Sequence, residues 1–221
     1  MPEAAKNSNA RECDPVLGAW QQIQELIRAF ALAVLIPFVA PGNSPAQSPP
    51  FNVVQGDGLL HVASGFLFPA QIGEFRRIVT KQYDQAGRDI SVGYNADGPE
   101  IAATIFVYPV HGKKLEEEFQ FRKNEVVSQH PGAKVTAHGP ASVSPARISA
   151  LMAEFLYTDI FRGRPQKLRS RLIVAQRGEW SAEYRITYPA SGAKKAAAQA
   201  DYLVATFAWP SPDKTEQSEG Q

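Results

Sequence analysis

Alternation of apolar and polar residues predicts several β-strands in the middle of the chain. Ile101–Tyr108 is apolar at nearly every position, which is typical of a strand that is covered on both faces. From Trp180 to Tyr188 every second residue is apolar and the residues between are polar, which predicts a half-buried strand. Phe75–Tyr83 and Asp89–Asn95 are predicted as two further strands.

Three later strands are expected to form an antiparallel meander. Ile148–Ile160 and Leu168–Gln176 flank a segment rich in Gly and Pro, which predicts a hairpin. A second turn at Arg177-Gly178-Glu179 leads into the third strand. If this turn has three residues, Leu172 lies opposite Tyr184, and the meander has one common apolar face.

Two helices are predicted from apolar residues at helical spacing. Lys113–Gln129 carries one apolar stripe and ends at His130-Pro131-Gly132. Ser191–Ala208 has a stronger stripe, with Ser191 as the expected N-cap. Each helix must bury one face, and the sheet is the available surface. The sequence therefore predicts an α+β fold, a predominantly antiparallel sheet with two main helices packed on it.

The charge-free apolar run Ala29–Ala40 follows Arg28 and precedes Ser44-Pro45-Ala46. As a helix it would be about 18 Å long, whereas the hydrocarbon core of a membrane is about 30 Å thick. The run is predicted to be the core of an export signal that is cleaved after Ala46. The mature protein would begin at Gln47 and be periplasmic or secreted.

The acidic residues ahead of this run are not typical of a signal peptide; they are Glu3, Glu12, Asp14 and Glu25. A true start near Val16 or Leu17 would remove most of them. Alternatively, residues 29–40 are an uncleaved membrane anchor, or Val16–Val39 is a buried amphipathic helix. Membrane contact is expected only through the signal or such an anchor.

The chain is predicted to comprise the signal with its leading extension (1–46), a linker (47–58), one α+β domain (59–209) and a mobile tail (210–221). Apolar residues make up 44% and charged residues 20% of the sequence, as in ordinary globular proteins. The net charge of +1 gives no reason to expect nucleic acid as a partner. The single cysteine, Cys13, precedes the apolar run, so the mature chain would have no thiol chemistry.

No sequence motif predicts a catalytic site, a metal site or a cofactor. Four histidines lack metal-ligand spacing and are expected to face solvent: His61, His111, His130 and His138. Glu116-Glu117-Glu118 is predicted to be a solvated first helical turn, because consecutive helical residues point in different directions.

Basic residues are concentrated in Arg162–Arg177, which contains no acidic residue. With Arg185 of the next strand, they are predicted to form a patch for an anionic lipid headgroup, a cell-wall polymer or an acidic protein. The candidate anion-binding residues are Arg162, Arg164, Lys167, Arg169, Arg171 and Arg185. The alternative is that Glu154 and Glu183 pair with these residues and leave an ordinary solvated surface.

Aromatic residues of the meander provide a second candidate site, a cleft between the sheet and a helix. Its lining residues would be Phe155, Tyr157, Trp180, Tyr184 and Tyr188. The alternative use of these side chains is core packing.

From Leu59 to Trp209 the order of elements resembles the PsbP-like superfamily of α/β/α sandwiches. The phrases Ala150–Phe155, ahead of a Gly turn, and Ala198–Phe207, at the close, also carry the resemblance. It implies an α/β/α sandwich and a non-catalytic accessory or binding role, and it transfers no site residue.

Three functions are therefore expected, in order of preference. The first is an exported, non-catalytic accessory or binding protein whose partner is an unidentified protein or envelope component. The second is a binder of anionic ligands or envelope surfaces that uses the basic hairpin Arg162–Arg177. The third is an enzyme with a dispersed active site, which would require polar groups that converge in a pocket.

Overall fold

Two antiparallel sheets form the framework of the computed structural model, which describes residues 49–211. The smaller sheet contains β1 (Phe51–Val54), β2 (Gly58–His61) and β3 (Leu67–Phe68). The larger sheet contains β4 (Gln71–Ile72), β5 (Phe75–Gln82), β6 (Ile90–Asp97), β7 (Glu100–Pro109), β8 (Lys134–Val143), β9 (Ile148–Phe161), β10 (Arg164–Arg177) and β11 (Trp180–Pro189). Its strand order is β4-β5-β6-β7-β11-β10-β9-β8. The predicted, mainly antiparallel sheet is confirmed.

Two α-helices accompany the larger sheet in this part of the chain. They are α1 (Leu115–Gln129) and α2 (Ala193–Thr206), close to the predicted ranges. The predicted N-cap Ser191 is wrong. Gly192 occupies that position, in a left-handed conformation with φ of 76° that favours glycine. The N-cap therefore lies one residue later than the sequence predicts.

Alternate residues of β10 belong to two separate apolar clusters. Leu168, Leu172 and Val174 pack with the apolar residues of α1. Ile173 and Ala175 belong to the cluster that contains the apolar stripe of α2. Because successive side chains of a strand point to opposite faces, these two sets of β10 residues lie on opposite faces of the strand.

The β10–β11 turn has two residues rather than three. Arg177 lies opposite Trp180, so Leu172 faces Arg185, and Ile173 faces Tyr184. The meander is confirmed, but the predicted pairing of Leu172 with Tyr184 is wrong. A shift of one residue exchanges the two faces of a strand. The apolar side of β11 therefore lies in the α2 cluster, and the predicted common apolar face does not form.

The four short strands β1 to β4 and the edge strand β8 were not predicted from the sequence. β1 lies inside the segment predicted as a linker, where Phe51 pairs with His61 of β2. β8 forms one edge of the large sheet, and most of its residues are exposed. Its sequence contains Gly139 and Pro140 and lacks an alternating apolar pattern, as is common in edge strands.

The predicted signal (1–46) and most of the predicted tail lie outside the described residues. Between residues 49 and 211, neither helix is both long and apolar enough to cross a bilayer.

His61 attaches the smaller sheet to the rest of the fold. Its side chain is buried, so the prediction that it faces solvent is wrong. The Nε2 atom lies 2.6 Å from the Gly87 carbonyl oxygen, and Nδ1 lies 2.5 Å from Ser64 Oγ. Since a carbonyl only accepts, Nε2 must donate the proton, and neutral His61 accepts from Ser64 at Nδ1. The ring also packs edge-on against Trp180, with 5.8 Å between centroids.

Acidification is expected to weaken the fold through His61. Burial lowers the pKa of His61, so the unfolded chain binds a proton more readily than the native state. The stabilisation is fully present above the unfolded pKa of about 6.5 and is lost as the pH falls through the lower native value. His61→Gln retains an amide donor toward Gly87 but cannot take up a proton. Urea unfolding at about pH 7.5 and about pH 5.5 should show a larger loss of stability for wild type than for His61→Gln. Equal losses would contradict this assignment.

Candidate functional site

A group of charged side chains lies between α1 and β11, and we call it the α1 charge cluster. It consists of Glu118, Arg122, Glu125, Glu183 and Arg185. The first three residues follow helical spacing, which brings them to one side of α1. The other two are separated by one residue on β11, so both point to the same side of the sheet. Helix periodicity and strand periodicity therefore combine to form the cluster.

The α1 charge cluster is held by short ionic contacts. Arg122 Nε lies 2.7 Å from Glu118 Oε1 and 3.3 Å from Glu183 Oε2, and Arg122 Nη1 lies 3.0 Å from Glu125 Oε2. Arg185 Nη2 lies 3.1 Å from the same Glu125 oxygen, and Arg185 Nε donates to Glu183. Each guanidinium thus bridges a helix carboxylate and a strand carboxylate.

Burial gives the two innermost carboxyl groups different properties. The side chains of Glu183 and Glu118 are only 1% and 4% exposed. Burial raises the pKa of Glu183, although the guanidinium groups of Arg185 and Arg122 oppose this shift. Burial is the largest single effect on Glu118 and acts to raise its pKa, but the charge and hydrogen bond of Arg122, together with Tyr108 and Lys113, outweigh it, and the net shift is downward. Glu118 is thereby kept ionised, and the prediction that it is solvated is wrong.

Opposite charges in and beside this cluster balance. Lys113 Nζ lies 3.3 Å from Glu118 Oε2, so three cations accompany three carboxylates. Such a network positions α1 on the sheet and leaves little net charge to attract a ligand. The spacing of Glu118 and Arg122, four residues apart, was the available sequence signal for it.

At its turn end, the predicted basic hairpin is paired with acidic residues of the β6–β7 turn. Arg162 Nη1 lies 2.6 Å from Asp97 Oδ1, and Arg164 Nη2 lies 2.9 Å from Glu100 Oε2. Lys167 is exposed on the same strand as Arg164. The acids come from elements distant in sequence, which is why the hairpin alone suggested an unbalanced positive charge.

The remaining candidate anion-binding residues lie on two different faces. Arg169 and Arg171 share Glu154, at 3.8 Å and 3.1 Å, and Arg171 also binds Asp201 of α2. Arg185 belongs to the α1 charge cluster on the other side. The two-residue turn causes this separation, so the six basic residues do not form one patch.

The five predicted cleft residues are also divided between the faces, and all are buried. Phe155 and Tyr157 belong to the α1 side. Trp180, Tyr184 and Tyr188 belong to the α2 side. They pack in two core clusters and do not line one shared cleft.

A cavity of about 310 Å³ lies between α2 and strands β8 to β10, and we call it the α2 cleft. Arg171 and Asp201 form its charged part. The other lining residues are Pro140, Ala141, Ser142, Met152, Ile173, Val204 and Ala205. None of these except Arg171 was predicted as a site residue, because four separate elements contribute them.

The outer margin of β5 is a further candidate interaction surface, and we call Ile78, Val79, Thr80, Gln82 and Tyr83 the β5 edge. All five side chains are exposed. Within the described residues, β4 pairs only with the first two residues of β5, so from Val79 onward the ladder continues on the β6 side alone.

Val79 packs directly over Gly93 of β6. A Cβ atom built at Gly93 would lie 2.7 Å from Val79 Cγ1, closer than side-chain contacts allow. The pairing of β5 with β6 shifts at this point, between Arg77 and Val79. The absence of a side chain at Gly93 therefore sets how closely the β5 edge approaches the sheet.

Within residues 49–211, no three His, Cys, Asp or Glu side chains converge in a way that could hold a metal ion.

No protein-family model matches the sequence, and no curated protein matches it. A solved structure with partial likeness is PA94 of Pseudomonas aeruginosa, described as a protein of unknown function. The match covers 51% of this chain and 74% of that chain, with 17% sequence identity and a TM-score of 0.38.

Removal of Arg122 should destabilise the fold strongly, because Glu118 and Glu183 would remain buried without this partner. We expect Arg122→Ala to lower the free energy of unfolding by about 3 kcal/mol. The matched control Arg164→Ala removes an exposed ion pair and should cost less than about 1 kcal/mol. Urea unfolding at neutral pH measures both values, and similar costs for the two variants would contradict the structural role of the cluster.

Proposed function

We propose that the chain is an exported, non-catalytic accessory protein that binds an extended segment of a partner protein along the β5 edge. The observation that carries this proposal is an exposed strand margin with apolar side chains and no neighbouring strand from Val79 onward within the described residues. Extended peptides bind such margins by adding a strand, with main-chain hydrogen bonds for affinity and side-chain contacts for specificity.

The composition of the β5 edge favours this role. Soluble proteins usually protect a free sheet edge with charge, proline or a bulge, because exposed apolar edges associate with other chains. β5 has charged residues and a shift in pairing between Arg77 and Val79, yet it still exposes apolar side chains from Ile78 onward. Ile78 and Tyr83 are 58% and 53% exposed, and Val79 is 45% exposed. A surface that keeps apolar residues at such a position is typical of an interaction site.

The charge of β5 indicates the chemistry of the partner segment. β5 contains Arg76 and Arg77 in its first half and no acidic residue. Arg77 donates to the backbone carbonyls of Phe68 and Asp57 rather than to a carboxylate. We therefore infer a partner strand in which apolar and acidic residues alternate.

A PsbP-like α/β/α arrangement is part of the proposal. The contacts of α1 and α2 with alternate residues of β10 support a helical layer on each side of the sheet. In the superfamily that the sequence resembles, this arrangement accompanies accessory and binding roles.

Export is proposed from the apolar run Ala29–Ala40 and the small residues at Ser44-Pro45-Ala46. N-terminal sequencing of the protein isolated from periplasm or culture medium is expected to begin at Gln47. Uncleaved protein found free in the cytosol would contradict export. Uncleaved protein in the membrane fraction would instead favour the anchor alternative.

Binding at the β5 edge is tested with two isoleucines of equal exposure. Ile78 and Ile160 are both 58% exposed, but Ile160 lies near the β9–β10 turn. We expect Ile78→Glu to reduce retention of the envelope partner by about tenfold, because it adds a charge to an apolar contact and repels an acidic segment. Ile160→Glu should retain the partner at the wild-type level. The measurement is quantitative pull-down from an envelope extract on the immobilised mature protein. Equal retention by both variants would contradict the proposal.

A further inference from the structure

The direction of main-chain hydrogen bonding along β5 changes at the pairing shift near Ile78. On one side of the shift, the Arg77 N–H donates to the Ala70 carbonyl oxygen at 2.9 Å, just before β4. On the other side, the Tyr83 N–H donates to the Asp89 carbonyl oxygen at 2.8 Å, just before β6. Successive N–H groups of a regular strand alternate between its two edges, so residues six positions apart would point to the same edge. The extra residue Ile78 reverses this alternation, as a β-bulge does.

The main-chain groups that face the uncovered margin of β5 are those of Thr80 and Gln82. Counting back from Tyr83 in steps of two, Lys81 and Val79 direct their N–H and C=O groups towards β6. The residues between these three direct theirs away from β6, where no strand among the described residues pairs with this part of β5. Thr80 and Gln82 thus offer two donors and two acceptors, enough for four main-chain hydrogen bonds to an added strand.

The bulge also places Ile78 and Val79 on the same face of the sheet. A Cβ atom built at Gly93 would lie 2.7 Å from Val79 Cγ1 and 3.7 Å from Ile78 Cγ1, so both side chains project to that side. Gly93 lies opposite Thr104 of β7, and Thr104 lies opposite Arg185 of β11. This side of the sheet carries the α1 charge cluster, and we call it the Arg185 face.

Tyr83 lies on the Arg185 face as well. Its ring stacks on Phe106, with 6.1 Å between centroids, and its Oη atom lies 3.0 Å from Ser91 Oγ. Ser91 lies opposite Phe106, and Phe106 lies opposite Glu183, which shares its face with Arg185. Phe106 is itself half-buried. All three apolar side chains of the β5 edge therefore lie on one face, where Phe106 extends their surface inward.

The opposite face of the same margin is polar and cationic. Thr80 lies opposite Val92, which is buried in the cluster that contains the apolar stripe of α2, and Gln82 points the same way. Arg77 lies opposite Tyr94 of that cluster. Its guanidinium donates to two backbone carbonyls, at 2.6 Å each, and these neutral acceptors leave its positive charge in place.

We propose that the segment bound at the β5 edge is an antiparallel strand of about five residues with a fixed phase. Its second and fourth residues are acidic, pair with Thr80 and Gln82 through the main chain, and project to the face of Arg77. Its first, third and fifth residues are apolar and project to the Arg185 face. An antiparallel strand continues the line of β4, and antiparallel pairs are slightly more stable per residue than parallel ones. This inference rests on the proposed strand addition and adds the identity and order of the bound residues.

The reverse phase is disfavoured on both faces. It would place carboxylates against Ile78, Val79 and Tyr83, where burying a charge among apolar groups is costly. It would also place apolar side chains beside Thr80, away from the apolar ridge. Lys81 shares the Arg185 face, and its aliphatic stem is compatible with an apolar neighbour.

The test compares three peptides in NMR titrations of the isotope-labelled protein. The parent probe is acetyl-Val-Glu-Val-Glu-Val-amide. One variant carries N-methyl groups on both glutamates, and the matched control carries them on the second and third valines. Methylation of the glutamates removes two of the four main-chain hydrogen bonds, so we expect binding at least about tenfold weaker than that of the parent. The control should bind within about twofold of the parent, because its methyl groups point away from β5.

The outcomes separate this inference from strand addition itself. Weak binding of the valine-methylated peptide with retained binding of the glutamate-methylated one would overturn the phase and leave strand addition intact. Equal binding of all three would overturn both, because the contact would not use main-chain hydrogen bonds. No binding of the parent probe would overturn the alternation assigned here, whereas the Ile78→Glu pull-down tests strand addition independently.

Amide hydrogen exchange locates the contact without altering the protein. In the free protein the amides of Thr80 and Gln82 should exchange rapidly, and that of Lys81 slowly. A saturating concentration of the parent probe should slow exchange at Thr80 and Gln82 at least about tenfold and leave Lys81 unchanged. Slow exchange of Thr80 in the free protein would overturn the assigned main-chain direction. Unchanged exchange of Thr80 with the probe bound would overturn the site.

Discussion

The length of the β10–β11 turn is the constraint on which the rest of the structure depends. With two residues in the loop, Ile173 pairs with Tyr184, and Leu172 pairs with Arg185. One side of β11 then supplies aromatic residues to the α2 cluster, and the other supplies Glu183 and Arg185 to α1. A loop with one more residue would exchange these sides. It would bury the charged residues among the aromatic ones and leave Arg122 without a strand carboxylate.

Carboxylates from other elements neutralise most of the basic residues that were predicted to form one patch. The guanidinium groups of Arg122, Arg162 and Arg164 each face a carboxylate from another element, so their charges are neutralised within the fold. The buried pairs of Arg122 contribute more to stability than the exposed pair of Arg164. In the α2 core a neutral hydrogen bond links the residues after α2 to β11: the indole N–H of Trp209 donates to Tyr184 Oη at 3.0 Å. The margin of β5 from Val79 onward is not covered by a further strand among the described residues.

The sequence was sufficient to predict those elements whose apolar spacing lies within one segment of the chain. Both helices and the meander follow from apolar spacing, since each buries a face of its own. Composition did not determine the length of the turn at Gly178 and Glu179, and every predicted pair between β10 and β11 depended on that length. Ion pairs between residues of distant elements could not be predicted from the sequence either. The pairing of Arg171 with Asp201 joins residues 30 positions apart, and Arg162 meets Asp97 across 65 positions. The hairpin Arg162–Arg177 contains neither Asp97 nor Asp201, so its sequence pattern could not predict these two ion pairs.

Gly93 shows how a residue can be constrained without taking part in recognition. Val79 occupies the space that a side chain at this position would need. Among related sequences we would expect larger residues at position 93 only where position 79 has become smaller. An invariant glycine at position 93 would therefore reflect the close packing of β5 on β6. It would not indicate a ligand contact.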